Sequence, residues 1–262
     1  MNTSQQDYWP QQKIIITAAG SGIGSDVVAA FLERGASVYF CDVVPERVTE
    51  MLDRHPRLMG KVVDVADPNA VDAFIDSGIK ALDGLSILIN NAGIAGPAGP
   101  VESISTEDWN RTFAINVAGQ FYCVRRAVPT LKANGGGSIV NMASVAGKFG
   151  FPLRSPYSTS KWAVVGFSRG LSIELGPHKI RVNSILPGVV DGERIKDVFT
   201  ARAASKGISY DEMERQALAS ASLGTMVSHE EIAEMILYIT SPVGRSITGQ
   251  SLSICGGMEW LI

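Results

Sequence analysis

The chain has 262 residues, of which 45% are hydrophobic and 19% are charged. A chain of this length and composition can bury a large core without disulfides or metal ions, and it suits one large α/β domain as well as two small ones. Its formal net charge of −3 and its lack of any lysine- or arginine-rich run argue against a nucleic-acid partner.

The cysteines and histidines set further limits. Cys41, Cys123 and Cys255 are widely separated and odd in number, which argues against a disulfide framework and fits a reducing compartment. The three histidines lack the paired spacing of a metal site. No apolar run approaches the roughly 20 residues of a membrane span, and the polar amino terminus does not read as a signal peptide. We expect a cytoplasmic protein without a metal or a membrane partner.

Seven short apolar runs rich in β-branched residues predict strands. Their nearly continuous apolarity is typical of strands that are buried on both faces of a parallel sheet. The runs cover residues 13–17, 37–41, 60–65, 86–90, 138–143, 180–185 and 251–255.

Helical patterns separate these runs. They cover residues 26–34, then 68–81 after Asp67, a long stretch from Ser105 to about Leu131, residues 157–176, and a last helix opened by the capping box "SHEE" at 228–231. This alternation predicts a single doubly wound Rossmann-type α/β domain over residues 1–262, a seven-stranded parallel sheet with helices on both faces. Residues 191–227 interrupt the rhythm with a polar helical pattern, which we interpret as a substrate lid within the domain.

The first loop after a strand is rich in glycine. In an open parallel sheet, ligands bind beyond the carboxyl ends of the strands. Small residues in "TAAGSGIG" (17–24) would let the backbone approach a pyrophosphate, although glycine is also an ordinary residue between a strand and a helix. The predicted cofactor-binding residues here are Gly20, Ser21, Gly22, Ile23 and Gly24.

Later strand ends also carry polar or small residues. Asp42, about 20 residues after the loop, is placed to accept hydrogen bonds from an adenosine ribose, unless it only caps the next helix. No lysine or arginine follows it before Arg47, which favours NAD over NADP. Asp64 and Val65 are predicted near the adenine, with a turn carboxylate as an equal alternative for Asp64. The motif "NNAG" (90–93) adds three predicted cofactor-binding residues, Asn91, Ala92 and Gly93, which could allow a close cofactor approach.

Three residues at and after the end of the fifth strand suggest a proton-transfer site. Ser144 ends that strand, Tyr157 follows, and Lys161 lies four residues later, on the same face of a helix. A free tyrosine keeps its proton until about pH 10, whereas a neighbouring ammonium group favours the phenolate. Each residue alone has an ordinary structural explanation, but together they predict a catalytic site.

In these motifs the chain resembles the short-chain dehydrogenase/reductase family along nearly its whole length. The matching pieces are "TAAGSGIG", Asp42, "NNAG", Asn116 in "FAINVAGQF", Ser144, "YSTSK" and "RVNSILPG". The resemblance implies an NAD-dependent oxidoreductase that interconverts a secondary alcohol and its ketone. It also implies a homotetramer paired through the helices at about 105–131 and 157–176.

The resemblance also implies roles for individual residues. Tyr157 would be the general acid/base, and Ser144 would hydrogen-bond the substrate oxygen. Lys161 would bind the nicotinamide ribose, and Asn116 would hold the water through which protons reach Lys161. The residues implied around the nicotinamide after the sixth strand are Pro187, Gly188 and Val190.

Two positions depart from the family pattern. Ala18 replaces the glycine that usually follows Thr17. Gly192 stands where the family often has a threonine that contacts the nicotinamide carboxamide, so backbone groups such as those of Val190 would have to anchor it.

Alternatives remain at this stage. One is a catalytically silent NAD-sensing or regulatory protein. Another is a nucleotide-sugar epimerase or dehydratase, although these usually have a larger carboxyl-terminal domain than the roughly 70 residues that follow "PG". For the substrate, Arg154 and Arg194 suggest a hydroxy acid or another anion, and a neutral sugar or polyol is the main alternative.

Overall fold

The computed structural model describes residues 8–261, apart from the side chains of residues 194 and 205. Its seven strands form one sheet in the order β3-β2-β1-β4-β5-β6-β7. Every neighbouring pair is parallel, which confirms the predicted sheet. The strands are β1 Lys13–Thr17, β2 Ser37–Asp42, β3 Met59–Val62, β4 Ile87–Asn90, β5 Gly137–Met142, β6 Ile180–Pro187 and β7 Ser251–Ile254.

Helices cover both faces of this sheet. The helices are α1 Gly22–Glu33, α2 Pro45–Arg54, α3 Pro68–Leu82, α4 Thr106–Phe113, α5 Gly119–Ala133, α6 Ser155–Leu175, α7 Glu193–Lys206, α8 Tyr210–Leu218 and α9 His229–Thr240. Phe31 of α1 and Ile236 of α9 belong to one core, whereas Phe74 of α3 and Val124 of α5 belong to the other.

Strand β1 shows why its sequence is continuously apolar. Ile14 and Ile16 are buried in the core beside α1 and α9, and Ile15 is buried in the core beside α3 and α5. Successive side chains of a strand point to opposite faces, so a strand covered on both faces needs an apolar residue at every position.

The sheet reverses its order at β1. Strand β1 pairs with β2 on one side and with β4 on the other. A crevice opens beyond the carboxyl ends of the strands at such a switch point, and it is where open α/β sheets bind ligands. Thr17, Asp42 and Asn90 end the three strands that border this crevice.

Besides shifts of one or two residues at other ends, the structure differs from the predicted elements in three places. Helix α1 begins at Gly22 rather than at residue 26, because the end of the glycine loop forms its first turn. The long helix predicted from Ser105 contains a π-helical segment, Ala114–Ala118, between α4 and α5. Strand β3 ends at Val62 rather than at residue 65, because the Asp64 carboxylate accepts a bond from the N–H of Ala66 and turns the chain.

The segment 191–227 is helical, as predicted. Helices α7 and α8 share a small core of their own, which contains Phe199 and Met213. The two ends of the segment meet where Val190 forms a parallel bridge with Val227. The segment therefore leaves the sheet after β6 and returns to nearly the same point.

Candidate active site

The amino end of α1 lies directly after β1, at the carboxyl edge of the sheet. Among the described residues, neither the side chain of Ser21 nor an acidic residue caps this first turn. By contrast, Asp67 caps α3, and Ser228 with Glu231 forms the predicted capping box of α9. First-turn N–H groups that side chains do not cap are suited to bind an anion, so the start of α1 fits the pyrophosphate of a dinucleotide.

The glycine loop is held against the end of β4. A Cβ atom on Gly24 would lie 2.5 Å from the carbonyl oxygen of Ala18 and 2.6 Å from Nδ2 of Asn91, so a side chain does not fit there. Asn91 Nδ2 donates to that Ala18 carbonyl at 2.8 Å. The Thr17 hydroxyl accepts the N–H groups of Asn91 and Ala92, each at 3.1 Å. Asn91 and Ala92 therefore shape the loop, and any contact they make with a cofactor stays a prediction.

Ala18 has a left-handed backbone conformation, with φ of 51°. This conformation costs a residue with a Cβ atom about 1–2 kcal/mol, whereas glycine adopts it freely. Glycine also loses about 0.4–1 kcal/mol through the entropy of the unfolded chain. We therefore expect Ala18→Gly to raise the free energy of unfolding by about 0.5–1 kcal/mol in urea titrations.

A matched control uses the same chemical change in ordinary helix. Ala30→Gly lies within α1 and should lower the free energy of unfolding by about 0.5–1 kcal/mol. If both variants were destabilised equally, strain at Ala18 would be excluded as an energetic factor.

Asp42 is buried at the edge of the glycine loop. Its Oδ2 accepts the N–H of Gly20 at 3.0 Å, and its Oδ1 accepts the N–H of Val44 at 3.1 Å. Val44, not Asp42, is the N-cap residue of α2, so the helix-cap interpretation of Asp42 is wrong. A carboxylate oxygen accepts more than one hydrogen bond, which leaves Asp42 able to bind ribose hydroxyls as well. The structure also brings Arg47 close, since a Cβ atom on Gly20 would lie 2.7 Å from its Cβ.

Asp64 takes part in a turn and an ion pair. Besides its bond to the N–H of Ala66, its Oδ2 lies 3.1 Å from Nη2 of Arg111. Val65 is buried against Gly119, where an added Cβ atom would lie 3.0 Å from the valine side chain. These contacts account for both residues structurally, so their proximity to adenine stays a prediction.

Ser144, Tyr157 and Lys161 lie beyond the carboxyl end of β5. The buried Nζ of Lys161 donates to the carbonyl of Met142 at 2.9 Å and lies 5.6 Å from the centre of the Tyr157 ring. The Ser144 hydroxyl accepts the N–H of Ala146 at 3.2 Å, so its hydrogen can point to a substrate oxygen. Tyr157 is half-buried. The phenol that would transfer a proton therefore lies beside a cationic side chain, as a proton-transfer site requires.

Asn116 joins the loop after β4 to α6. Its Oδ1 accepts the N–H of Ile94 at 2.8 Å, and its Nδ2 donates to the Ile94 carbonyl and to the Ser160 hydroxyl, both at 3.0 Å. A Cβ atom on Gly93 would lie only 3.2 Å from Nζ of Lys161, so this loop lies against the lysine side chain. Asn116 belongs to the π-helical segment, and such segments are frequent at functional sites.

The chain is similar to known proteins along nearly its whole length. The family model described as Enoyl-(Acyl carrier protein) reductase matches residues 17–259. Dehydrogenase/reductase SDR family member 6 of Danio rerio is 34% identical over 245 residues, which cover 93% of this chain and 96% of that protein. The chain belongs to the short-chain dehydrogenase/reductase family.

Solved structures agree on the fold. NAD+-bound xylitol dehydrogenase superposes with a TM-score of 0.90 at 26% identity, and the match covers 95% of this chain and 100% of that one. A variant of actinorhodin polyketide ketoreductase with NADPH superposes with a TM-score of 0.89 at 29% identity, over 96% and 97% of the two chains. This short-chain dehydrogenase/reductase is therefore an oxidoreductase, and its fold is one that holds nicotinamide cofactors.

The residues that the structure describes contain no group of three or more His, Cys, Asp or Glu side chains arranged to hold a metal ion. None of the helices between residues 8 and 261 combines the length and apolarity needed to cross a membrane. Burial raises the pKa of the Cys41 thiol, and that of Cys123 to about 12, so neither is a nucleophilic thiolate at neutral pH.

The residues after β6 are positioned by their neighbours. The N–H of Gly188 donates to the carbonyl of Ile254 at 2.9 Å, and a Cβ atom on Gly188 would lie 2.7 Å from Cys255. Pro187 ends β6, and Val190 is held by its bridge to Val227. Glycine is thus required at position 188 for packing, and a nicotinamide contact from these residues stays a prediction.

His229 was missed as a site residue in the sequence. Its Nδ1 lies 3.2 Å from Oδ2 of Asp26 in α1. A Cβ atom on Gly192 would lie 3.4 Å from the imidazole, and one on Gly22 would lie 3.8 Å from it. His229 therefore stands between the glycine loop and the start of the lid segment in this dehydrogenase/reductase. Only the fold brings these distant residues together, so no local pattern could have indicated the contact.

Arg154 lies beside the ring of Tyr157. Its Cζ is 5.5 Å from the centre of the Tyr157 ring, and its Nη2 donates to the carbonyl of Ala95 at 3.0 Å. Arg202, which the sequence analysis did not single out, lies with its Cζ 5.8 Å from the centre of the Phe151 ring. The side chain of Arg194 lies outside the described part of the structure, so its role stays a prediction.

Proposed function

We propose that this short-chain dehydrogenase/reductase is an NAD-dependent dehydrogenase that interconverts a secondary alcohol and its ketone. One observation carries the proposal: the centre of the Tyr157 ring lies 5.6 Å from the buried Lys161 ammonium, at the same sheet edge as the uncapped start of α1. A proton-transfer group and a phosphate site on one crevice are what alcohol oxidation with a dinucleotide requires.

The residues divide the work as follows. NAD, when bound along α1 and the ends of β1 and β4, supplies the hydride acceptor. The Ser144 hydroxyl orients the substrate oxygen by donating a hydrogen bond to it. Tyr157, as the phenolate, takes the hydroxyl proton while the carbinol carbon loses its hydride. Lys161 stabilises that phenolate and binds the ribose, and a water held near Asn116 returns the proton to solvent.

NAD is proposed over NADP because of Asp42. This carboxylate is fixed by two backbone N–H groups and is 5% exposed. A fixed carboxylate accepts hydrogen bonds from both ribose hydroxyls and repels a 2′-phosphate at the same place. Arg47 is exposed nearby, and it would attract a 2′-phosphate if the carboxylate were absent.

The test is a panel of alcohols with NAD. Purified protein should form NADH with at least one secondary alcohol among sugars, polyols and hydroxy acids. A tertiary alcohol of similar shape is the control, because it has no carbinol hydrogen to transfer. If the protein bound NAD in calorimetry yet reduced it with none of these alcohols, the dehydrogenase proposal would fail in favour of NAD sensing.

We further propose that residues 191–227 close over the substrate as a lid. Helices α7 and α8 have a small core of their own, whereas residues 220–223 of the segment are bonded to residues 256–259, so we expect the two helices to move together over that fixed part. Hydrogen exchange should show residues 191–215 protected when NAD and substrate are both present. Equal protection with and without ligands would mean a fixed wall.

A homotetramer is proposed from exposed apolar side chains on the helices that the family resemblance pairs. Phe121 of α5 is 45% exposed, and Trp162 and Ile173 of α6 are 51% and 80% exposed. Such residues favour burial against another copy of the chain. Light scattering that gave the mass of one chain would contradict this.

We also propose a cytoplasmic location, supported by unpaired Cys41, Cys123 and Cys255 and testable by cell fractionation.

A further inference from the structure

Two guanidinium groups lie against one aromatic ring at the edge of the proposed active site. The Cζ atoms of Arg154 and Arg202 lie 5.7 and 5.8 Å from the centre of the Phe151 ring. Arg154 also lies 5.5 Å from the centre of the Tyr157 ring. The centre of the Tyr157 ring is thus within 6 Å of two cationic groups, the guanidinium of Arg154 and the ammonium of Lys161.

The two arginines come from different parts of the chain. Arg154 precedes α6, which carries Tyr157, whereas Arg202 lies on α7 of the lid segment. Both side chains are partly buried, and burial lowers the pKa of Arg202 without discharging a guanidinium. Positive charges gathered in a cleft with low-dielectric walls raise the local concentration of anions.

We propose that the substrate is a hydroxy acid whose carboxylate is bound between Arg154 and Arg202. This inference rests on the proposed dehydrogenase function, and it names the substrate class. A guanidinium presents five N–H donors in a planar fork that matches a carboxylate. Arg154 can therefore bind a carboxylate while it donates to the carbonyl of Ala95.

The placement also sets what the carboxylate does. It does not react: the carbinol carbon loses a hydride and its hydroxyl oxygen loses a proton to give the ketone, and the carboxylate stays bound throughout. Because Arg154 lies against the ring of Tyr157, the acid must be short, with its carboxylate a few bonds from the carbinol carbon. Because Arg202 belongs to the lid segment, carboxylate binding also favours a closed position of that segment.

The kinetic test compares acids with their neutral esters. Lactate, 3-hydroxybutyrate and 4-hydroxypentanoate are each assayed beside the methyl ester, with NAD in excess. The wild-type protein should prefer at least one acid over its ester in kcat/KM by about 10- to 100-fold, the range for hydrogen bonds to a charged group. Arg154→Met and Arg202→Met should each raise KM for that acid by about the same factor and change KM for the ester little.

The control variants keep the test specific. Arg202→Lys retains the charge but not the fork, so its KM should lie between those of the wild type and Arg202→Met. Arg215→Gln removes an exposed guanidinium from α8 of the same segment, where Arg215 pairs with Glu212. This variant should leave KM unchanged for both the acid and the ester. An equal rise in KM for acid and ester in both methionine variants would overturn the carboxylate site.

A binding measurement separates this inference from the proposed function. Calorimetry measures the dissociation constants of butyrate and of the neutral butyramide for the protein with NADH. Butyrate should bind more tightly, and Arg202→Met should abolish that difference. If neutral alcohols are oxidised but butyrate has no arginine-dependent advantage, the hydroxy-acid inference is wrong and the dehydrogenase proposal stands. If butyrate shows that advantage but no alcohol is oxidised, the dehydrogenase proposal is wrong and the carboxylate site stands.

Discussion

Tyr157→Phe should lower kcat at least about 100-fold, the usual contribution of a positioned general acid or base. The substitution removes one oxygen and keeps the ring, which packs beside Arg154 and Lys161. Without the hydroxyl, the alcohol proton has no acceptor when the hydride leaves. The dissociation constant for NAD should barely change, because the cofactor is proposed to be held by α1 and the strand ends. Initial rates of NADH formation and calorimetry with NAD measure the two quantities.

Tyr238→Phe is the matched control. Tyr238 lies on α9 and is 48% exposed, so the same oxygen is removed away from the crevice. Its kcat and its affinity for NAD should both equal those of the wild type. If Tyr157→Phe kept wild-type kcat, Tyr157 would not be the acid/base, and the mechanism proposed for this site would fail at its central step.

The sheet was predictable because local sequence and tertiary structure agree there. Strands such as β1 are buried on both faces, so their short, β-branched, continuously apolar runs match the burial that the fold gives them. The caps of α3 and α9 were also predictable, since Asp67 and Ser228 bond to backbone N–H groups only two or three residues away. Interactions of short range in the chain are visible in the sequence.

The interruption after α4 was not predictable in the same way. The sequence from Ser105 to Leu131 has an uninterrupted helical pattern, yet Ala114–Ala118 is π-helical. The bonds that accompany the change join Asn116 to Ile94 and Ser160, which come from distant parts of the chain. A helical pattern indicates which face of a helix is apolar. It does not indicate which residue will form hydrogen bonds with a distant loop.

The position of Arg202 could have been predicted from the sequence, whereas other contacts near the site could not. Arg202 lies three residues after Phe199 and seven after Ile195, the spacing of one helix face, and Phe199 is buried. Extending that apolar edge by one turn would have placed Arg202 inward. No such pattern exists for His229 or for Arg47 beside Gly20, because those contacts depend on how separate strands and helices are brought together.

Asp42→Ala should lower the ratio of kcat/KM for NAD to that for NADP by about 100-fold or more. Two unit charges about 4 Å apart interact by about 4 kcal/mol near a protein surface, so removing the carboxylate removes a large repulsion of the 2′-phosphate. It also removes the acceptor of the ribose hydroxyls, worth about 1.5–3 kcal/mol for a bond to a charged group. The change leaves the N–H groups of Gly20 and Val44 without their acceptor, but a looser loop affects both cofactors. The ratio therefore reports the ribose contact, whereas the absolute rates do not.

Arg47 provides the second half of this experiment. Its Cβ lies beside Gly20, whose N–H bonds to Asp42, so in Asp42→Ala we expect its guanidinium to reach a 2′-phosphate near the vacated carboxylate position. The double variant Asp42→Ala/Arg47→Gln should lose most of the NADP activity that the single variant gains, since one charge-assisted contact to phosphate is removed. Arg47→Gln alone should leave kcat/KM for NAD nearly unchanged, because Asp42 still binds the ribose. A wild-type protein that prefers NADP, or a ratio unaffected by Asp42→Ala, would show that the adenosine ribose is not held at Asp42.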